Sequence, residues 1–215
     1  LDLPAPTVTT VEELRVAVWE DDPFSPTEKD YVQAIRAVAD SLAAAGAYVS
    51  YTARPDTTME ESLEIWQSVV GPSMAGVGVQ PRENSRRQKL KKKWEAFWDS
   101  GYDILLCPVT QTAAIPIDET GGIAGINSRT IIVNGEESPY PINFRWAGLI
   151  IIADLPVTVV PIDVLSNGLP VGVQVVAREW HDRTCIEVAR LVERMHATAG
   201  TRVPPGYADD AVPKL

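Results

Sequence analysis

Leu155-Pro-Val-Thr-Val-Val-Pro-Ile-Asp-Val-Leu165, Ser166-Asn-Gly-Leu-Pro170 and Val171-Gly-Val-Gln-Val-Val-Ala177 form two apolar runs joined by a turn. Neither run alternates cleanly between apolar and polar residues, so each reads as a strand buried on both faces. Asn167-Gly168 supplies residues that tolerate the positive φ of a tight reversal. A short turn can connect only antiparallel strands. A doubly buried antiparallel pair belongs in the middle of a mixed sheet with helices on both faces, and that is the fold class expected here.

The segments before this hairpin fit the same class. Leu14–Trp19 reads as a strand, and Ser25-Pro-Thr-Glu28 as a helix start, with Ser25 as N-cap, Pro26 at N1 and Glu28 completing a capping box. Tyr31, Val32, Ile35, Val38, Ala39 and Leu42 recur at helical spacing, and Gly46 is suited to a left-handed cap. Ala47–Tyr51 is the next strand, so strand, helix and strand make a βαβ unit with parallel strands. Helices are expected over 57–70, stopped by Gly71-Pro72, and over about 85–100. Tyr102–Cys107 reads as a strand running into Pro108. Residues 108–143 show no clear period, and a loop of that length usually wraps a site. Residues 142–153 fit a buried helix or a strand, with length favouring helix. A last helix is expected over about 182–199, with Asp182 or Thr184 near its cap and Cys185, Val188, Val192 and Met195 on one face. Residues 1–12 read as an extended lead-in and 201–215 as a surface tail. The whole of 1–215 reads as one α/β domain or a fragment of a larger one.

Composition excludes several functions. A formal net charge of −10 over 215 residues offers nothing overall to attract a nucleic acid. The two cysteines make no disulfide framework, so a reducing, cytoplasmic setting is the default for what reads as a bacterial-type protein. The longest apolar stretch, 147–153, falls far short of the roughly 18–20 residues that span a bilayer. The chain begins at Leu1 rather than methionine, which suggests a processed N-terminus or a piece of something longer.

The chemistry-bearing residues are sparse. Arg82–Lys93 carries seven basic residues in twelve, beside Trp94 and Trp98. It reads either as a phosphate-binding surface with stacking tryptophans or as a solvated helix face whose tryptophans turn inward; the acidic chain favours the second. Cys107 ends an apolar strand, where α/β sites gather, and could serve as a nucleophile if a histidine lowered its pKa. Nothing places His181 or His196 beside it, so a buried structural cysteine is the favoured reading. No G-x-S-x-G turn, metal-ligand set or dinucleotide fingerprint occurs, so no metal or cofactor is expected.

Taken together, Leu14–Trp19, Ala45-Gly46-Ala47, Tyr102-Asp-Ile-Leu-Leu-Cys-Pro-Val-Thr110, Trp146-Ala-Gly-Leu149, Asp154-Leu-Pro156, Asn167-Gly-Leu-Pro-Val-Gly-Val-Gln174 and Asp182-Arg-Thr184 resemble, in order, the C-terminal half of the amidase signature family. The resemblance implies hydrolysis of linear amides by a Ser–cisSer–Lys triad. That family's catalytic lysine and its Gly/Ser-rich stretch have no counterpart here, so no catalytic residue is carried over and the triad is expected upstream of Leu1. The isolated chain is then expected to be an inactive amidase portion. The alternatives are a non-catalytic scaffold or partner subunit of amidase fold, or else a cysteine hydrolase using Cys107. Val109, Thr110, Gln111 and Trp146 are the candidate pocket residues for a small-molecule amide. A fragment cut from a sheet should also expose an apolar face, through which it could self-associate.

Overall fold

The computed structural model describes residues 2–74, 76, 78–122 and 125–196. Its main sheet has the order β2-β1-β3-β7-β6, built from β1 (Arg15–Val18), β2 (Tyr48–Ser50), β3 (Ile104–Pro108), β6 (Val157–Val164) and β7 (Pro170–Val176). β1 lies parallel to β2 and β3, whereas β7 lies antiparallel to both β3 and β6. The expected mixed sheet and βαβ unit are both present.

Strand alternation sends successive side chains to opposite faces, and each face has its own core. On one face Val16, Val18, Ile104, Leu106, Val173 and Val175 meet α1 (Lys29–Ala44) and α5 (Asp182–Met195). On the other, Ala17, Leu105, Cys107 and Val176 meet α2 (Met59–Met74), α3 (Pro81–Asp99) and α4 (Arg145–Ile151). α4 settles the ambiguity at 142–153 as helix. Among the described residues no helix is long and apolar enough to cross a membrane.

The opening hairpin is only half as buried as its composition suggests. β7 is central, and from Val173 to Val176 every residue is buried. β6 is the edge strand, and its exposure alternates: Val160 and Ile162 are buried under α5, whereas Val157 and Val159 are 41% and 51% exposed. The valines that blurred the alternation lie on an uncovered face. In the turn, only Gly168 has positive φ (81°), and its N–H donates to Leu165 O.

Helix boundaries differ from expectation for local reasons. α1 starts at Lys29, not at Ser25. Asp21 Oδ1 accepts from Thr27 N, and Asp22 Oδ1 from Phe24 N, folding 21–27 into turns that bury Ser25. The cap comes from far along the chain: Asn134 Oδ1 accepts from Lys29 N at 2.9 Å, and Asn134 Nδ2 donates to Thr27 O. α2 continues through Pro72 to Met74. Pro72 removes one backbone bond there, and Ser73 Oγ donates back to Val69 O. Gly46, at φ 107°, does end α1. In α5, Cys185, Val188 and Val192 are buried but Met195 is exposed. Residues 197–199 of the expected last helix, and the 201–215 tail, fall outside the described residues.

The unpatterned stretch 108–143 contains an unanticipated hairpin, β4 (Thr130–Val133) and β5 (Glu136–Pro139). Asn134 and Gly135, at φ 55° and 84°, make its turn. Asn-Gly after a β-branched run is a strong short hairpin signal, so the sequence carried it.

Four of the seven basic residues of the run on α3, Arg86, Arg87, Lys91 and Lys93, are ion-paired. Leu90, Trp94, Phe97 and Trp98 point into the core. Arg87 and Lys91 pair with Asp154, Lys91 also with Glu179, and Lys93 with Glu61. These cations tie α3 to α2 and to the turn before β6.

Candidate functional site

The candidate residues Val109, Thr110 and Gln111 leave the C-terminal end of β3, where β3 and β7 part. The last rung between these strands is Pro108 opposite Val173, and Gln174 Nε2 donates to Pro108 O at 2.6 Å. Beyond it the strands are bridged by a side chain. Val109 N donates to the Tyr31 hydroxyl at 3.0 Å, and that hydroxyl donates to Gly172 O at 2.5 Å. Tyr31, read from sequence only as an apolar helix position, thus takes the place of the next ladder bond. Burial raises its phenol pKa well above the usual range, so it keeps the proton it donates.

Thr110 Oγ1 donates to Thr112 O, turning the chain. Gln111 then plunges inward and is fully buried. Its Nε2 donates to Ser25 Oγ and Ile142 O, while its backbone O accepts from Glu28 N. One glutamine therefore ties together the β3 exit, the start of α1 and the approach to α4. Its Oε1 has no partner among the described residues. Trp146 is also fully buried, edge-on to Trp19 at 6.1 Å on the α2–α4 face. Gln111 and Trp146 are thus enclosed, Val109 and Thr110 are half-buried, and none of the four lines the open cleft nearby. Just beyond Gln111 lies an open cleft of about 630 Å³, between Thr112–Asp118 and the β4–β5 hairpin, with Arg129 and Tyr140 in its wall.

This arrangement can shape a wall; it does not activate a nucleophile. Cys107 is fully enclosed, its Sγ faces the Gln174 amide at 3.5 Å, and burial pushes its thiol pKa far up. A sealed thiol that holds its proton is the opposite of a reactive one. His181 lines a separate small cavity with Trp98, Tyr102 and Asp103. Ser25 is committed to Gln111. Of the groups that hold the β3 exit and the start of α1, Ser25, Tyr31, Gln174 and Asn134 were not foreseen in these roles, and only Asn134-Gly135 carried a sequence signal.

Known proteins repeat this scaffold. A bacterial aryl acylamidase described as belonging to the amidase signature family superposes with a TM-score of 0.60 at 16% identity, over 86% of this chain and 44% of its own. A fatty acid amide hydrolase gives 0.66 at 15% identity, over 91% and 42%. Among curated sequences, fatty-acid amide hydrolase 2-A of Danio rerio is 36% identical over 87 residues, 40% of this chain and 16% of that protein. One of the subunits of the mitochondrial glutamyl-tRNA(Gln) amidotransferase of Mus musculus is 29% identical over 108 residues, 50% and 18%. The chain thus spans a small part of these curated relatives and under half of these solved chains. The family profile described as Amidase matches residues 73–186, just over half the chain, from the end of α2 through β3, both hairpins and into α5. This chain belongs to the amidase signature family.

Proposed function

We propose that the chain is the C-terminal portion of an enzyme that hydrolyses linear amide C–N bonds to a carboxylate and an amine or ammonia. The observation that carries this reading is the family match across β3, its exit loop and the β6–β7 hairpin. In this proposal the Ser–cisSer–Lys triad lies outside the 215 residues. A serine oxygen attacks the amide carbonyl, and the lysine takes the proton through the bridging serine. The same relay returns a proton to the departing nitrogen, and water then releases the acid. The contribution of this chain is to hold Val109 and Thr110 as one rim of the pocket, through Tyr31, Gln111 and Gln174. The occupant is a small-molecule amide, not a nucleic acid. Two buried free cysteines fit a reducing, cytoplasmic setting.

The test is amide hydrolysis, followed with a chromogenic anilide and an ammonia assay. The 215-residue chain should give no turnover above buffer, and the product of the whole reading frame should turn over. Serine-dependent turnover by the 215 residues alone would overturn the placement of the triad.

A second reading has some support, because relatives include proteins named as subunits of an amidotransferase, and one similar structure comes from a vestigial protein complex. In that reading the chain is a non-catalytic subunit of amidase fold. Recovery of a stable complex with no amide turnover would favour it.

A further inference from the structure

The sheet has two edges, and they differ in length. β2 is three residues long, and the Arg15 guanidinium sits 4.5 Å over its Tyr48 ring. β6 is eight residues long, and its sequence includes four valines. Long apolar edges are ones that folded proteins normally avoid or cover.

The register of β6 shows what its free side offers. Ala177 N donates to Pro156 O, and the pairing then runs Val157 to Val176, Thr158 to Val175, Val159 to Gln174 and Val160 to Val173. In an antiparallel ladder, backbone bonding alternates along the strand. Thr158 and Val160 therefore bond to β7, and Val157 and Val159 turn their N–H and C=O groups outward. Pro161, next in that alternation, has its missing N–H on the open side, and a bulge follows between Pro161 and Asp163. These two features block strand addition beyond residue 160. The open stretch is thus Val157–Val160. On the α5 face Val160 is buried and Thr158 partly so, whereas on the α2–α4 face Val157 and Val159 are exposed.

We infer that β6 is a seam, and that Val157–Val160 pairs with a β-strand of the amidase fold lying outside these 215 residues, which brings apolar side chains over Val157 and Val159. This rests on the amidase reading. The superposed part of this chain makes up only 42–44% of two solved relatives, in which the fold continues beyond it. A second copy is a poorer occupant: two valines provide far less than the roughly 1,200 Å² of a stable interface.

Amide hydrogen exchange, read by NMR or mass spectrometry, tests the seam. In the 215-residue chain, Val157 and Val159 should exchange freely while Thr158 and Val160 are protected. In the product of the whole reading frame, the two outward amides should slow by about 100-fold or more, and Val159→Lys should restore their fast exchange. Unchanged exchange in the whole protein would overturn the inference. So would a reading frame that adds no residues, or a 215-residue dimer that already protects both amides. Amide hydrolysis is scored separately. Protected amides without hydrolysis would refute the amidase reading and leave the seam, whereas hydrolysis with free amides would refute the seam alone.

Discussion

β6 and β7 are the two arms of one hairpin, similar in composition and opposite in environment. β7 lies between β3 and β6 with helices over both faces; β6 has one neighbour and one covered face. The difference shows that burial belongs to a strand's place in the sheet and not to its valine content. Substitutions of the same kind on the two arms should therefore diverge. Val173→Asp puts a carboxylate among the buried side chains between the sheet and α1 and α5. It should cost at least about 3 kcal/mol, or prevent folding, in urea titration. A cost under about 1 kcal/mol would mean that β7 is not sealed.

Next in size is the contact between the arms. A Cβ on Gly172 would meet Val159 Cγ1 at 2.9 Å and Val160 O at 3.0 Å. The first atom can rotate away and the second is backbone. Gly172→Ala should lower stability by about 1–3 kcal/mol. Adding Val159→Ala should recover part of that loss and not all of it. Full recovery would mean that the backbone of β6 yields freely, as a loosely held edge would.

How far the sequence foretells these features depends on whether their signals are local. Gly46, the helical face of α1, the inward tryptophans of α3 and the turn at Gly168 are set by residues within a few positions of each other, and they are legible. The Asn134-Gly135 hairpin is local too, but the lack of a longer period over residues 108–143 hides it. The edge position of β6 has one local signal, Pro161, since proline inside a strand is confined to edges, strand starts and bulges; the valine-rich composition around it masks that signal. The start of α1 is not legible: Ser25-Pro-Thr-Glu28 satisfies every local rule for a cap, yet Gln111 claims Ser25 from 86 residues away and Asn134 takes over the cap. Val109 and Thr110 can be placed at the exit of β3 from the sequence, but the tyrosine that bridges the gap there cannot, because its hydroxyl meets partners 78 and 141 residues distant.

That tyrosine gives the third test, at the inner side of β7. Tyr31→Phe keeps the ring in the core and removes only the bridge, leaving Val109 N–H and Gly172 O without their partner. The expected cost is about 1–2 kcal/mol, together with faster exchange of the Val109 amide. If the loss is that large while the Val109 amide stays slow, the hydroxyl acts in packing rather than in holding the rim.

The smallest effect should lie on the outer arm. Val159→Thr keeps the branched shape and strand preference, and exchanges a methyl for a hydroxyl on a side chain that is about half exposed. In the 215-residue chain its cost should stay within about 0.5 kcal/mol. The change becomes informative when repeated in the product of the whole reading frame. If a strand covers Val159 there, the same hydroxyl must be desolvated, and the cost should rise to about 1–2 kcal/mol. Equal, small costs in both settings would leave β6 a true edge of the sheet. A large cost in both would mean that the outer face of β6 is already covered in the short chain, and the contrast between the two arms would then be one of degree.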